Sequence, residues 1–186
     1  MATQELIQEA EQRMQKATDV MRRELSSMRA GRATPALLDR VQVLYYGVPT
    51  PINQVATISA PEARLLVIQP WDRNVLGDIE KAILKSDLGL TPNNDGQVIR
   101  ISIPQLTKER RTELVKVVRK KVEDCRVAIR NIRRETNEQT KAMLKAGEIS
   151  EDEQRRLQDQ IQKLTDRFIG IVDKIGENKV AEIMEV

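Results

Sequence analysis

Residues 107–146 read TKERRTELVKVVRKKVEDCRVAIRNIRRETNEQTKAMLKA. Apolar or small side chains recur in this stretch at intervals of three or four residues, with a gap before the last: Leu114, Val118, Val122, Cys125, Ile129, Ile132, Thr136 and Met143. Such a repeat is typical of a helix that packs along another helix over its whole length. The stretch therefore predicts one helix of about 40 residues, roughly 60 Å long.

The charge of this predicted helix is strongly positive. It carries thirteen Lys and Arg against six Asp and Glu, whereas the whole chain of 186 residues has a formal net charge of only +3. A stiff helix that is apolar on one side and cationic on another is suited to lie against a polyanion.

Helical spacing of apolar residues also occurs near both ends of the chain. It predicts a first helix over residues 3–28 and a third over residues 150–184. Ser150 and Glu153 form the pattern of a capping box, which marks the start of the third helix. The link at residues 145–149 is so short that the second and third helices must be antiparallel neighbours. Two glycines interrupt the third helix and indicate places where another helix approaches closely: Gly170 and Gly176.

The middle of the chain differs in character, since all seven prolines fall between residues 31 and 105. Segments rich in β-branched residues predict four strands, at residues 41–46, 54–58, 64–69 and 98–103. Turns are expected at residues 47–51 and 93–96, and one helix at residues 74–86. The predicted fold class is therefore α+β: a small β/α/β module, residues 31–105, inserted into a long antiparallel three-helix bundle made of residues 1–30 and 106–186.

Two crossings connect the module to the bundle, one at residues 29–35 and the other at residues 103–106. Gly31 can adopt positive φ, while Pro35 and Pro104 prevent a helix from continuing through the joint. Because both connections must bend together, we expect a defined elbow that includes Gln105. The alternative is a loop that merely ends a helix, and glycine and proline alone do not exclude it.

Composition argues against several classes of protein. The chain has no histidine, so Cys/His zinc sites and histidine-dependent triads are excluded. Glycine-rich phosphate loops are absent, and we expect neither an enzyme nor a cofactor or metal site. The single cysteine, Cys125, fits a reducing cytoplasm and a place in the core. Since no apolar run approaches 18 residues, a membrane span is not expected, and the predicted location is cytoplasmic.

An arginine row is the candidate binding site. Arg119, Arg126, Arg130 and Arg133 project in nearly one direction, roughly 100° from the apolar stripe. Four neighbours are expected to widen the positive zone: Lys116, Lys120, Lys121 and Arg134. The alternative is a solvated face neutralised by salt pairs, but acidic partners are scarce, with Glu123 the only carboxylate close by. A guanidinium group can make a forked contact with a phosphate. The predominance of arginine therefore favours binding to an RNA that is recognised by its backbone and shape.

Aromatic residues make up only 2 % of the chain, so base stacking is not expected to dominate. Tyr45, Tyr46 and Trp71 are candidate contacts, but strand and turn aromatics in a small module are more often part of the core.

Several sequence blocks in order resemble the bacterial ribosome recycling factor family from end to end. They are RAGRATPALLD (29–39), YYGVPTP (45–51), KAILKSDLGLTP (81–92), IPQLTKERR (103–111) and RVAIRNIRR (126–134). The resemblance implies an L-shaped, two-domain molecule and a translation factor without enzymatic activity. It also implies that Arg130 and Arg133 face RNA on the bundle, and that Arg29 and Arg32 do so near the elbow.

In that family the factor acts on the ribosome after peptide release. The resemblance implies that a monomer binds large-subunit ribosomal RNA, and that elongation factor G with GTP then splits the subunits, releasing messenger RNA and transfer RNA. Another class of function is an adaptor whose helices form a coiled coil with a partner and bind no RNA. That role explains the apolar repeat but gives no function to the concentrated arginines. A carboxylate-dependent enzyme is a third alternative, disfavoured by the lack of a plausible constellation.

Overall fold

The structure is a computed structural model that describes residues 2–28 and 31–185. The chain divides into two compact units, one made of Met1–Met28 with Lys108–Val186 and the other of Arg29–Thr107. Among the described residues, no helix is both long enough and apolar enough to cross a membrane. The helices and strands, in chain order, are α1 (Ala2–Ser26), β1 (Gln42–Tyr45), β2 (Val48–Pro51), β3 (Ala56–Glu62), β4 (Leu65–Pro70), α2 (Leu76–Lys85), β5 (Pro92–Asn94), β6 (Ile99–Ser102), α3 (Lys108–Lys145) and α4 (Glu151–Met184).

The bundle unit consists of α1, α3 and α4, each in contact with the other two. The predicted apolar stripe of α3 is buried from Leu114 to Thr136, and Ile129 near its middle is fully shielded from solvent. Met143, the last member of the predicted stripe, is only partly buried. The largest buried side chains on the facing helices are Met14 and Leu25 of α1 and Phe168 of α4. The three long helices predicted from periodicity are confirmed.

The link between α3 and α4 has the local chemistry that the sequence predicts. Gly147 takes a φ of +74°, and the N–H of Glu148 donates to the Met143 carbonyl at 3.0 Å, which closes α3 in a Schellman motif. Ser150 caps α4: its Oγ accepts from the Glu153 N–H at 3.2 Å, and the Glu153 carboxylate accepts from the Ser150 N–H at 2.8 Å. The predicted capping box is therefore confirmed.

Of the two glycines in α4, only one lies at a close helix approach. A Cβ placed on Gly176 would lie 2.5 Å from Cγ2 of Val122, so α3 and α4 meet there at a distance that only glycine permits. A Cβ on Gly170 would meet nothing within 4 Å. The prediction of close approach holds at Gly176 and is wrong at Gly170.

The inserted module contains two antiparallel sheets and α2. β1 pairs with β2, while the larger sheet has the order β3-β4-β6-β5. Alternate side chains of β4 and β6 point into one apolar core with α2, which explains their period-two pattern of burial. Eight core residues are fully shielded from solvent: Val43, Ile52, Leu66, Ile68, Ile79, Ile83, Ile99 and Ile101.

Two predicted turns of the module are partly strand. Residues 48–51 form β2, and the tight turn lies just before them at Tyr46 and Gly47, where φ is +48° and +81°. Pro49 and Pro51 are two residues apart and so present their missing N–H groups on the same side, which is compatible with a two-stranded sheet. Residues 93–94 likewise belong to β5, and the turn begins at Asp95.

Candidate nucleic-acid interface

The arginine row lies on α3, within the bundle unit. Its four members are spaced by seven, four and three residues and so share one side of the helix. Arg119 and Arg130 are exposed, whereas Arg126 and Arg133 are half-buried. The structure therefore brings the predicted bundle residues together along one helix, but does not expose them equally.

Arg126 is held by two carboxylates. Its Nε donates to Oδ1 of Asp173 on α4 at 2.6 Å, and its Nη1 donates to Oε2 of Glu123 at 3.1 Å. The bond to Asp173, and secondarily the bond to Glu123, raise the pKa of Arg126 above its ordinary value. The expectation that acidic partners are scarce is wrong at this position, because Asp173 comes from another helix and cannot be found from the spacing within α3.

Arg130 shares Glu123 with Arg126. Its Nη1 donates to Oε1 of Glu123 at 3.2 Å, and its side chain is 46 % exposed. Hydrogen bonds from Arg126 in the first place, and also from Arg130, lower the pKa of Glu123 below its ordinary value. Glu123 is therefore a full negative charge at neutral pH, placed between two cations of the row.

The other two arginines are less constrained. Nη1 of Arg133 donates to Oε1 of Gln162 at 3.5 Å, the long limit of a hydrogen bond. Arg119 makes neither an ion pair nor a side-chain hydrogen bond within residues 2–28 and 31–185. It borders a groove of about 610 Å³ between α3 and α4, whose floor includes Val118, Val122 and Val180.

The cationic zone around the row is narrower than the sequence suggests. Lys121 points toward α1, where its Nζ donates to Oε2 of Glu24 at 3.2 Å, so it does not extend the row. Lys116 and Lys120 are exposed, and Arg134 is exposed while donating to the side chain of Asn131. The prediction for Lys121 is therefore wrong, because its helical angle places it on the packed side.

The residues predicted for the elbow lie in the module unit, where the two crossings contact each other. Gly31 has a φ of +78°, and a Cβ there would lie 3.1 Å from Cγ of Leu106. Pro35 begins a 3-10 helix that ends at Leu38, as its fixed φ allows. Pro104 and Gln105 are exposed and outside regular structure.

Hydrogen bonds fasten both crossings to the turn between β3 and β4. The Ala33 N–H donates to the Ala63 carbonyl at 2.7 Å, and the Ile103 N–H donates to the Arg64 carbonyl at 2.8 Å. Nη1 of Arg64 also donates to Oε1 of Gln105 at 3.3 Å. Of the two arginines predicted to face RNA near the elbow, Arg32 is exposed and Arg29 lies outside the described residues.

Two aromatic side chains of the module are exposed, against the expectation that they are core. Tyr46 is 74 % and Trp71 67 % exposed. The Tyr46 hydroxyl donates to Asp72 at 3.1 Å, which raises the pKa of Tyr46, and Trp71 Nε1 donates to Oγ1 of Thr57 at 2.9 Å. Both rings are thus oriented by polar contacts. Tyr46 could have been placed outside the core from its position in the YYG turn sequence.

No group of three or more Cys, Asp or Glu side chains that could hold a metal ion occurs within the described part of the chain.

Comparisons with known proteins agree with this architecture. A family model described as ribosome recycling factor matches residues 21–184. The ribosome-recycling factor of Moorella thermoacetica is 66 % identical over 182 residues, covering 98 % of both chains. A solution structure of a ribosome recycling factor aligns with a TM-score of 0.82 and 43 % identity over 100 % of this chain and 99 % of that one. A second similar structure is that of the T. thermophilus ribosome recycling factor, with a TM-score of 0.68 and 49 % identity over 100 % of both chains. It comes from models of that factor and the E. coli elongation factor G bound to the E. coli post-termination complex.

Proposed function

This chain belongs to the ribosome recycling factor family, and we propose that it binds the ribosome after termination and splits it into subunits together with elongation factor G and GTP. Messenger RNA and transfer RNA are thereby released for another round of initiation. The observation that carries this proposal is the 66 % identity to a ribosome-recycling factor over 98 % of both chains. The similar factor placed with elongation factor G on a post-termination complex supports the same partners for this chain.

In this proposal the chain is a cytoplasmic, monomeric binding factor and not an enzyme. It needs no cofactor of its own, because the energy comes from GTP used by elongation factor G. The absence of histidine from the sequence supports a role without acid–base chemistry, since the commonest general base is missing.

The arginine row of α3 is proposed to contact the phosphates of large-subunit ribosomal RNA. Arg119 and Arg133 are the most available members, because neither is engaged by a carboxylate within the described residues. Arg130 contributes from an exposed position, while Arg126 also joins α3 to α4 through Asp173. Arg29 and Arg32 are proposed to extend the contact near the elbow, by resemblance to the family.

The elbow residues Gly31, Pro35, Pro104 and Gln105 are proposed to transmit movement from the module to the bundle. The hydrogen bonds that fasten both crossings to the turn at Ala63 and Arg64 support this role, because a displacement of the module must move the two crossings together.

The test compares Arg133→Ala with Arg156→Ala, which removes the same charge from an exposed site on α4 that has no ion pair within the described residues. Arg133→Ala should weaken binding to purified ribosomes and reduce the salt slope of log K by roughly one unit, since one phosphate contact is lost. Arg156→Ala should change the slope less. Equal behaviour of the two folded variants would remove Arg133 from the interface.

Activity is tested by polysome breakdown with purified factor, elongation factor G and GTP. The parent protein should convert polysomes to free subunits only when all three are present. Tight ribosome binding that is insensitive to salt, without any splitting, would favour the adaptor alternative, because a phosphate-binding factor must weaken steeply with salt.

A further inference from the structure

The arginines of the row differ in what holds them when no RNA is bound. Arg126 is fastened to α4, because its Nε donates to Asp173 at 2.6 Å in addition to its bond with Glu123. Among the described residues, Arg130 has a single acidic partner, Glu123, whose Oε1 lies 3.2 Å from its Nη1. Release of Glu123 would therefore free Arg130 but leave Arg126 attached to Asp173.

The Glu123 carboxylate bridges two arginines of the row. Its two oxygens are used separately: Oε2 accepts from Arg126 at 3.1 Å and Oε1 accepts from Arg130 at 3.2 Å. Carboxylate and phosphate oxygens are the two groups that guanidinium donors recognise with similar geometry. The Glu123 side chain is 51 % exposed, so an RNA strand can reach the site that the carboxylate occupies.

We propose that Glu123 is an intramolecular competitor of the RNA phosphate for Arg130, and thereby lowers the affinity of the arginine row for RNA. The inference rests on the proposed function, because it requires Arg130 to contact phosphate in the complex. In the free protein Glu123 holds Arg130; on binding, the phosphate replaces it; on release, the carboxylate takes the arginine back.

The competition is moderate in size. An ion pair this exposed changes an equilibrium by a factor of roughly two to five. That is enough to weaken every phosphate contact made through Arg130, and it gives the arginine a partner as soon as the RNA leaves. A factor that must bind and then depart in each cycle benefits from such a partner. The same competition also weakens the binding of Arg130 to unrelated RNA.

The test uses the full-length protein and compares Glu123→Gln with Asp124→Asn. Both changes remove one negative charge at neighbouring exposed positions of α3, but Asp124 has no arginine partner within the described residues. Binding to purified ribosomes is measured by co-sedimentation at fixed ionic strength. Glu123→Gln should bind about two to five times more tightly than the parent, and Asp124→Asn should change binding less. Equal effects of the two variants, or weaker binding by Glu123→Gln, would overturn the inference.

Arg130→Ala, alone and combined with Glu123→Gln, separates this inference from the proposed function. If both hold, Arg130→Ala weakens binding and Glu123→Gln gives no gain in that background. If Arg130→Ala weakens binding but Glu123→Gln does not tighten it, the competition alone is refuted. An unchanged affinity of Arg130→Ala would refute the RNA contact of Arg130 and the competition with it. Thermal melting checks that each variant is folded, and Glu123→Ala repeats the test should Glu123→Gln not fold.

Discussion

The close approach of α3 and α4 at Gly176 should make one added methyl group costlier there than at Gly170 in the same helix. An alanine Cβ would lie 2.5 Å from Cγ2 of Val122, far inside the ordinary carbon contact of about 3.5–4.0 Å. Val122 is β-branched and only 6 % exposed, and a valine in a helix has essentially one favoured χ1 rotamer, so its side chain cannot easily turn away from the added carbon. We therefore expect Gly176→Ala to force α3 and α4 apart beneath the arginine row.

The expected magnitude is a balance of two effects. Overpacking a well-packed core costs about 1–3 kcal/mol, whereas replacing glycine by alanine inside a helix gains ~1 kcal/mol. Gly176→Ala should then lower the free energy of unfolding by roughly 0–2 kcal/mol, by difference of those terms. Gly170→Ala is the matched control in the same helix. Because its Cβ would meet nothing within 4 Å, it should keep the gain of ~1 kcal/mol.

The assay is urea unfolding of the full-length variants, followed by far-ultraviolet circular dichroism. The difference between the two alanine variants should be about 1–3 kcal/mol, the overpacking cost alone. Adding Val122→Ala removes Cγ2, so the double variant should be more stable than the sum of the single effects by at least ~0.5 kcal/mol. If Gly176→Ala and Gly170→Ala stabilise the protein equally, the reasoning about helix spacing is refuted.

Three further changes test other parts of the molecule. Ile129→Asp should unfold the bundle, because a buried unpaired charge costs several kcal/mol; a melting curve like that of the parent would mean that the helix phase is wrong. Asp95 accepts chiefly from the Val98 N–H, which lowers its pKa from 3.8 to about 2. The ionised Asp95 carboxylate stabilises the folded protein fully above the unfolded-state pKa, and this stabilisation is lost as the pH falls toward 2. The difference in melting temperature between the parent and Asp95→Asn should therefore shrink over that range. A difference independent of pH would contradict this. Gly31→Ala should cost about 1–2 kcal/mol at its positive φ, and more if Leu106 cannot move, with near-parental ribosome binding but poor splitting; full splitting activity would show that the elbow is passive.

Much of the bundle was predictable because its signals are local. The burial of α3 follows from side chains three and four residues apart, and the capping box of Ser150 and Glu153 depends on residues within one helical turn. The close approach at Gly176 was only half predictable. Glycine permits contact at Gly170 and Gly176 alike, and only the course of Val122 on a different helix decides between them.

The errors arose where a partner is distant in the chain. Asp173 binds Arg126 from 47 residues away. Lys121 is a different case, because its angle on α3 is a local property that already places it away from the arginine row. In the module, the prolines of residues 48–51 suggested a turn, because proline has no N–H to donate within a sheet. A strand can contain them only where the sheet does not need those N–H groups, and the sequence alone does not show this. Trp71 lies just after the end of β4, so the alternation of buried and exposed residues within that strand does not predict its exposure.

The discontinuity of the bundle has a consequence for the order in which the protein folds during its synthesis. The residues of α1 are made first, but α3 begins only at Lys108, after the whole module has been translated. The module is contiguous in sequence and has its own apolar core, so it can fold while α1 still lacks its partners. When it folds, Gly31 comes into contact with Leu106, which closes the long loop between the two halves of the bundle. The entropic cost of closing that loop is therefore met when the module folds. α1 then docks on α3 across a short effective loop, although the two helices are far apart in sequence.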